Sequence, residues 1–185
     1  VAADAEIDRA AEYALWSAMS NAGQTCIGAE RVYVVNEVAD EFITKITELA
    51  KEVHPGRDGN YGPATMPSQL KVIQSHIDDA AAKGAKFVIG GVDSVKAPFV
   101  EPVIMVDVPE NSTAVTEETF GPTLVINRTA DMAEAIRLAN ATRYGLAASV
   151  WSKRNGEKIA SQLDCGMVSV NSVIAFAAIA SVPFG

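Results

Sequence analysis

Thr123-Leu124-Val125-Ile126-Asn127 is a continuous, β-branched-rich apolar run. Asp131-Met132-Ala133-Glu134-Ala135-Ile136-Arg137-Leu138-Ala139-Asn140 follows with apolar residues at helical spacing, and Leu146-Ala147-Ala148-Ser149-Val150-Trp151 returns to a strand pattern. Alternation of strand and helix implies a mostly parallel sheet covered by helices and built from right-handed βαβ units. Strands without polar alternation are buried on both faces. The same alternation extends outward. Residues 154–163 read as a helix and 167–170 as a strand. Upstream, residues 31–36 (RVYVVN) read as a strand, and residues 38–53 as a helix through Phe42, Ile43, Ile46, Leu49 and Ala50. His54-Pro55-Gly56 stops that helix.

Residues 68–83 form the next predicted helix, with Gly84 as its C-cap. Residues 86–89 read as a short strand before Gly90-Gly91. Pro98 and Pro102 punctuate the following stretch, so 103–106 reads as an edge-like strand. At the start of the chain Ile7, Ala10, Ala11, Ala14, Leu15, Ala18 and Met19 recur at helical spacing, with Asp4 as the expected N-cap and Gly23 as the stop. The fold class is therefore α/β: three layers, a mostly parallel sheet with helices on both faces, in one domain over residues 1–185.

Composition narrows the function classes. The 185 residues carry 15 basic against 23 acidic side chains, a net charge of −8. That balance argues against a nucleic-acid partner, because phosphate backbones are bound by clustered Lys and Arg. Two cysteines, Cys26 and Cys165, with two histidines, His54 and His76, make no metal set, so no metal is expected. The apolar run 173–180 falls far short of the roughly 20 residues of a membrane span, and no basic n-region opens the chain. A cytoplasmic chain without membrane partners is the expectation. No GxGxxG or GK[ST] loop follows any strand. The chain starts at Val1 within reach of a helix and stops after Pro183-Phe184, so both ends read as cut.

Few residues are able to carry chemistry. Cys26 closes Asn21-Ala22-Gly23-Gln24-Thr25-Cys26, past a helix end, and Ile27-Gly28-Ala29-Glu30 allows one turn after it. Backbone N–H groups at such a turn favour the thiolate. Spacing alone favours the simpler alternative, a small buried hydrophobe, although Gly23 and Gln24 suit an open loop. Cys165, in Asp164-Cys165-Gly166-Met167, has no neighbouring base and reads as packing. Glu117 and Glu118 precede Thr119-Phe120-Gly121-Pro122. They suit a solvated face, or a clasp on a polar ring ligand with Phe120 packed against it. His54 reads as a helix C-terminal residue, and His76, on a charged helix face, receives no role. There is no GxSxG elbow and no HExxH.

Taken together, Asn21-Ala22-Gly23-Gln24-Thr25-Cys26 with Glu30-Arg31-Val32 resembles the cysteine signature of the aldehyde dehydrogenase superfamily. Glu117-Glu118-Thr119-Phe120-Gly121-Pro122 resembles its second signature. Tyr61-Gly62-Pro63 with Gln69, Asn140-Ala141-Thr142-Arg143-Tyr144-Gly145-Leu146-Ala147-Ala148, Gly166-Met167-Val168-Ser169-Val170-Asn171 and Pro183-Phe184-Gly185 match further landmarks in register. The resemblance covers nearly the whole chain.

The resemblance implies an NAD- or NADP-dependent oxidation of an aldehyde to a carboxylic acid. Cys26 would be the nucleophile that forms a thiohemiacetal and then a thioester, its own N–H contributing to an oxyanion hole. Glu118 would hydrogen-bond the nicotinamide ribose, Phe120 would pack beside the nicotinamide, and Gln69 would approach the cofactor. In the family a glutamate general base lies further upstream than Val1, and the dinucleotide-binding domain earlier still, while an oligomer-building arm follows the position of Gly185. The chain is thus expected to be the catalytic domain alone, inactive in isolation, from an enzyme that forms a homo-oligomer. The uncharged segment 172–182 is expected to help line a pocket for an apolar aldehyde. An acyl-transferring relative that uses coenzyme A, and a non-catalytic homologue, are the alternatives.

Overall fold

A computed structural model describes residues 1–185, the surroundings of the Ala175 side chain excepted. The chain runs α1 (Ile7–Met19), β1 (Arg31–Val35), α2 (Asn36–Ala50), α3 (Pro67–Ala82), β2 (Lys86–Ile89), β3 (Val95–Lys96), β4 (Phe99–Val100) and β5 (Val103–Val106). It continues through α4 (Thr113–Thr116), β6 (Thr123–Thr129), α5 (Met132–Ala139), β7 (Ala147–Val150), α6 (Gly156–Ala160) and β8 (Met167–Val170). The main sheet has the order β1-β6-β5-β2, with β1, β6 and β5 parallel and β2 antiparallel at one edge. β7 and β8 pair in parallel as a second sheet, and β3 and β4 form a small hairpin.

The central strands alternate between two cores. Ile104, Val106, Leu124 and Ile126 pack with α1 and α2, whose buried stripe includes Ala10, Ala14, Ala18, Phe42 and Ile46. Val103, Met105 and Val125 point the other way, onto Ile73, Ile77 and Ala80 of α3 and Ala114 and Val115 of α4. Helices thus cover both faces, as a buried parallel sheet requires. Each fully buried aliphatic side chain contributes about 1.5–3 kcal/mol through its removal from water.

Three expectations need correction. The strand at 103–106 is no edge: β5 lies between β6 and β2, and all four of its residues are buried. Pro102 stands just outside it, so no ladder N–H is lost. Asp4 does not cap α1, which starts after Glu6. Its carboxylate instead accepts from the Ser152 hydroxyl (2.8 Å) and the Arg154 N–H (2.9 Å), fastening the start of the chain to the end of β7. The helix read over 154–163 is only α6, a little more than one turn.

Val1 and Ala2 bridge the two sheets. The Val1 nitrogen donates to the Tyr33 carbonyl (2.7 Å), the Val1 carbonyl accepts from Val35 N–H (3.2 Å), and Ala2 N–H donates to the Trp151 carbonyl (2.9 Å). Residues of both β1 and β7 line one cavity.

Candidate active site

α1 ends at Met19 and passes into a 3-10 turn, Ser20–Gly23, in which Asn21 and Ala22 take left-handed backbone angles. The chain then folds into a tight turn closed by the Gly28 N–H on the Thr25 carbonyl (2.9 Å). Ala29 N–H donates to the Ser17 hydroxyl of α1 (3.0 Å). Cys26 sits at the corner of this turn, a free thiol with its side chain exposed. Among the described residues its N–H donates to no protein acceptor. The small-buried-hydrophobe alternative does not hold.

Gln24 is fully engaged. Its amide donates to the carbonyls of Asn21 and Pro63, and its oxygen accepts from the N–H (2.8 Å) and hydroxyl (2.9 Å) of Thr65. The glutamine before the thiol therefore ties the turn to the 63–65 loop.

The second motif lies in the loop between α4 and β6, and five side chains hold it. Glu30 accepts from Thr119 N–H (3.0 and 3.1 Å) and from Phe120 N–H (2.7 Å). Gln69 of α3 donates to the Thr119 carbonyl (2.7 Å). His76 Nδ1 lies 3.0 Å from the Thr119 hydroxyl. Tyr144 accepts from Glu118 N–H (3.3 Å) and donates to Glu117, which also pairs with Arg143. Phe120 occupies the left-handed region at φ 52°. Of the two carboxylates Glu117 is thus engaged, whereas Glu118 is exposed and its side chain has no protein partner among the described residues.

These two loops face one space. A cavity of about 350 Å³ is lined by Cys26, Glu118 and Phe120, together with Arg31, Ala148, Cys165, Val173 and Phe176. The loops touch at Gly23 and Gly121, where backbone meets backbone. Gln69 does not line this cavity; it bonds the carbonyl of Thr119, which stands between the lining residues Glu118 and Phe120. Cys165, expected as packing, is half-buried on the same wall. Burial first, and the neighbouring Asp164 charge second, push its thiol pKa up.

His76 corrects another expectation. It is buried on the inner face of α3 rather than on a charged surface, and burial lowers its pKa, opposed by Glu117 and Asp79. Glu30 and His76 are the site residues that sequence reasoning left without a role. Glu30 stood within the quoted cysteine motif, but no spacing rule links it to a loop so far along the chain.

A model of the aldehyde dehydrogenase family matches residues 1–185. A Mycobacterium ulcerans protein, provisionally named succinate-semialdehyde dehydrogenase (NADP(+)) 2, is 42% identical over 179 residues, covering 92% of this chain and 35% of the relative. The 4,4'-diapolycopene aldehyde oxidase of a Methylomonas species is 38% identical over 189 residues, covering 100% of this chain and 35% of the relative. Among solved structures, 1-pyrroline-5-carboxylate dehydrogenase from Thermus with bound NAD superposes with a TM-score of 0.91 at 28% identity, over 100% of this chain and 37% of that one. The chain spans about a third of the length of the curated relatives it matches. With its cysteine turn and Glu-Thr-Phe-Gly loop joined at one cavity, and with the family model matching from Val1 to Gly185, this chain belongs to the aldehyde dehydrogenase family.

Proposed function

We propose that residues 1–185 form the cysteine-bearing domain of an enzyme that oxidises an aldehyde to a carboxylic acid with NAD or NADP as acceptor. The observation that carries this reading is that Cys26, Glu118 and Phe120, from two distant loops, line a single cavity. The Cys26 thiolate attacks the aldehyde carbon to give a thiohemiacetal, and the unpaired Cys26 N–H stabilises the developing oxyanion. With a bound nicotinamide as hydride acceptor, loss of hydride and a proton would turn the thiohemiacetal into a thioester on Cys26, from which water would release the acid and return the thiol.

An exposed carboxylate without a protein partner, next to an aromatic ring, suits a ribose diol joined to a flat heteroaromatic ring. Glu118 therefore accepts from the ribose hydroxyls of the dinucleotide, and Phe120 packs beside the nicotinamide. Gln69 supports both by holding the Thr119 carbonyl. The nicotinamide, when bound, supplies the hydride acceptor.

The aldehyde is an apolar one of medium-chain or aromatic type. Val173 and Phe176 line the cavity, and the segment 172–182 contributes no charge that could pair a substrate carboxylate. The name of the Mycobacterium relative favours a second reading, succinate semialdehyde. In the enzyme that carries this chain, Cys26→Ala should abolish NAD(P)H formation, and Glu118→Gln should raise the cofactor Kd. Full turnover by Cys26→Ala would refute the nucleophile. A higher kcat/KM for succinate semialdehyde than for an apolar aldehyde of similar size would replace the first substrate class by the second.

A further inference from the structure

We propose that Glu30 is a positioning residue whose carboxylate, bonded to the N–H groups of Thr119 and Phe120, fixes the Glu118–Phe120 loop over the cavity that Cys26 lines. This rests on the reading of Glu118 and Phe120 as the nicotinamide end of a cofactor site. Glu30 leaves the Cys26 turn at the mouth of β1, so one side chain joins the two loops directly.

Glu30 is an uneconomical way to satisfy two amides unless their placement matters. Glu30 is half-buried, and burial raises its pKa against the lowering effect of the Phe120 and Thr119 N–H groups. Arg31, next along the chain, gives it no ion pair: the Arg31 guanidinium donates to the Thr142 hydroxyl instead (3.2 Å). A carboxylate drawn out of water without an ion pair costs free energy that a small hydroxyl side chain in the same place would avoid. What the carboxylate supplies is a charge-assisted, two-pronged grip. It holds Phe120 in the left-handed conformation, which a bulky residue does not keep unaided.

Thr119 is gripped through its N–H by Glu30, its carbonyl by Gln69 and its hydroxyl by His76. The Gln69 and His76 contacts come from α3 and locate the residue. Of these three contacts only that of Glu30 comes from the Cys26 side, so together with the Gly23–Gly121 contact it fixes the spacing between nucleophile and cofactor loop. Glu118, beside Thr119, keeps its own carboxylate free for a ligand.

The test compares Glu30→Gln with Glu118→Gln in the enzyme that carries this chain. Three quantities are read: hydrogen exchange in a peptide spanning residues 117–122, Kd for reduced nicotinamide cofactor by fluorescence, and the iodoacetamide rate at Cys26. Glu30→Gln keeps the shape but lacks the charge and can accept with one oxygen only. It should speed exchange of the loop and raise the cofactor Kd, each by about tenfold, while alkylation of Cys26 stays within about twofold of wild type.

Unchanged loop exchange would overturn the proposal, and so would an unchanged Kd in Glu30→Gln where Glu118→Gln weakens binding. If Glu118→Gln leaves Kd unaltered while Glu30→Gln loosens the loop, the cofactor reading fails and the clamp is supported. Should Glu30→Gln not fold, Glu30→Asp keeps the charge and withdraws the oxygens by one carbon. The same rise in exchange and Kd is expected there, and wild-type values in Glu30→Asp would overturn the proposal.

Discussion

Gly23 and Gly121 meet backbone to backbone: a Cβ built on Gly23 falls 1.9 Å from the Gly121 carbonyl oxygen. Gly23 is also at φ +69°, where a side chain is strained whatever the space. A Cβ on Gly121 would in turn meet the Ile73 side chain at 2.6 Å. The cysteine turn can lie this close to the Glu118 loop only because Gly23 has no side chain, while Gly121 leaves room for Ile73 of α3. Gly23→Ala should lower unfolding stability by about 3 kcal/mol, combining a left-handed backbone penalty with overpacking against rigid backbone. Urea denaturation checks it. A loss below about 1 kcal/mol would mean that the two loops separate freely.

Exposure and chemistry rank the two thiols. Cys26 is exposed on its turn, while the Cys165 thiol is held in its protonated form by burial and by Asp164. Iodoacetamide at neutral pH should therefore modify Cys26 first, because the thiolate is the reacting species. Timed peptide mapping by mass spectrometry reads the order. Asp164→Asn should speed labelling of Cys165 and leave Cys26 unaffected.

The α3–α4 junction should be sensitive to acid. Asp79 pairs with Lys83 and accepts from the Ser112 hydroxyl (2.7 Å) and the Thr113 N–H (2.8 Å). Lys83 first, then Ser112, hold its carboxyl well below the usual carboxylate range. A folded pKa below the unfolded one gives stability that is present above about pH 4 and is lost as the pH falls toward the folded value. Wild type should therefore be more stable than Asp79→Asn at pH 7, and the gap should narrow by pH 3. Denaturation at the two pH values decides, and a constant gap would contradict the pairing.

Histidine 76 adds a second pH dependence, closer to the site. Burial depresses its pKa, so the unfolded chain takes up a proton at higher pH than the folded one. Stability from this residue is complete above about pH 6.5 and declines as the pH drops toward the folded value. His76→Gln can still hydrogen-bond the Thr119 hydroxyl but does not titrate. Between pH 7 and pH 5 it should lose less stability than wild type, measured by urea unfolding at closely spaced pH values.

Much of this protein was determined by local sequence. The βαβ alternation set the α/β class, because a run such as Leu124-Val125-Ile126 can be buried on both faces only in a parallel sheet covered by helices. The helical run read over 131–140 formed α5, with Asp131 as its N-cap, accepting from Glu134 N–H at 2.9 Å. The cysteine and Glu-Thr-Phe-Gly motifs marked the family through residue identity alone. Tertiary structure decided what local pattern could not reach. Pro102 suggested an edge for β5, yet strand order placed β5 inside the sheet, because pairing is set by partners distant in the chain. His76 was placed among charges on its own helix, yet α3 turned it inward to Thr119. Glu30 found its N–H partners, and Gly23 its neighbour Gly121, only when two distant loops closed on each other. A contact across such a distance leaves no period or spacing in a single sequence, because its geometry comes into being only with the packing of the strands and helices between.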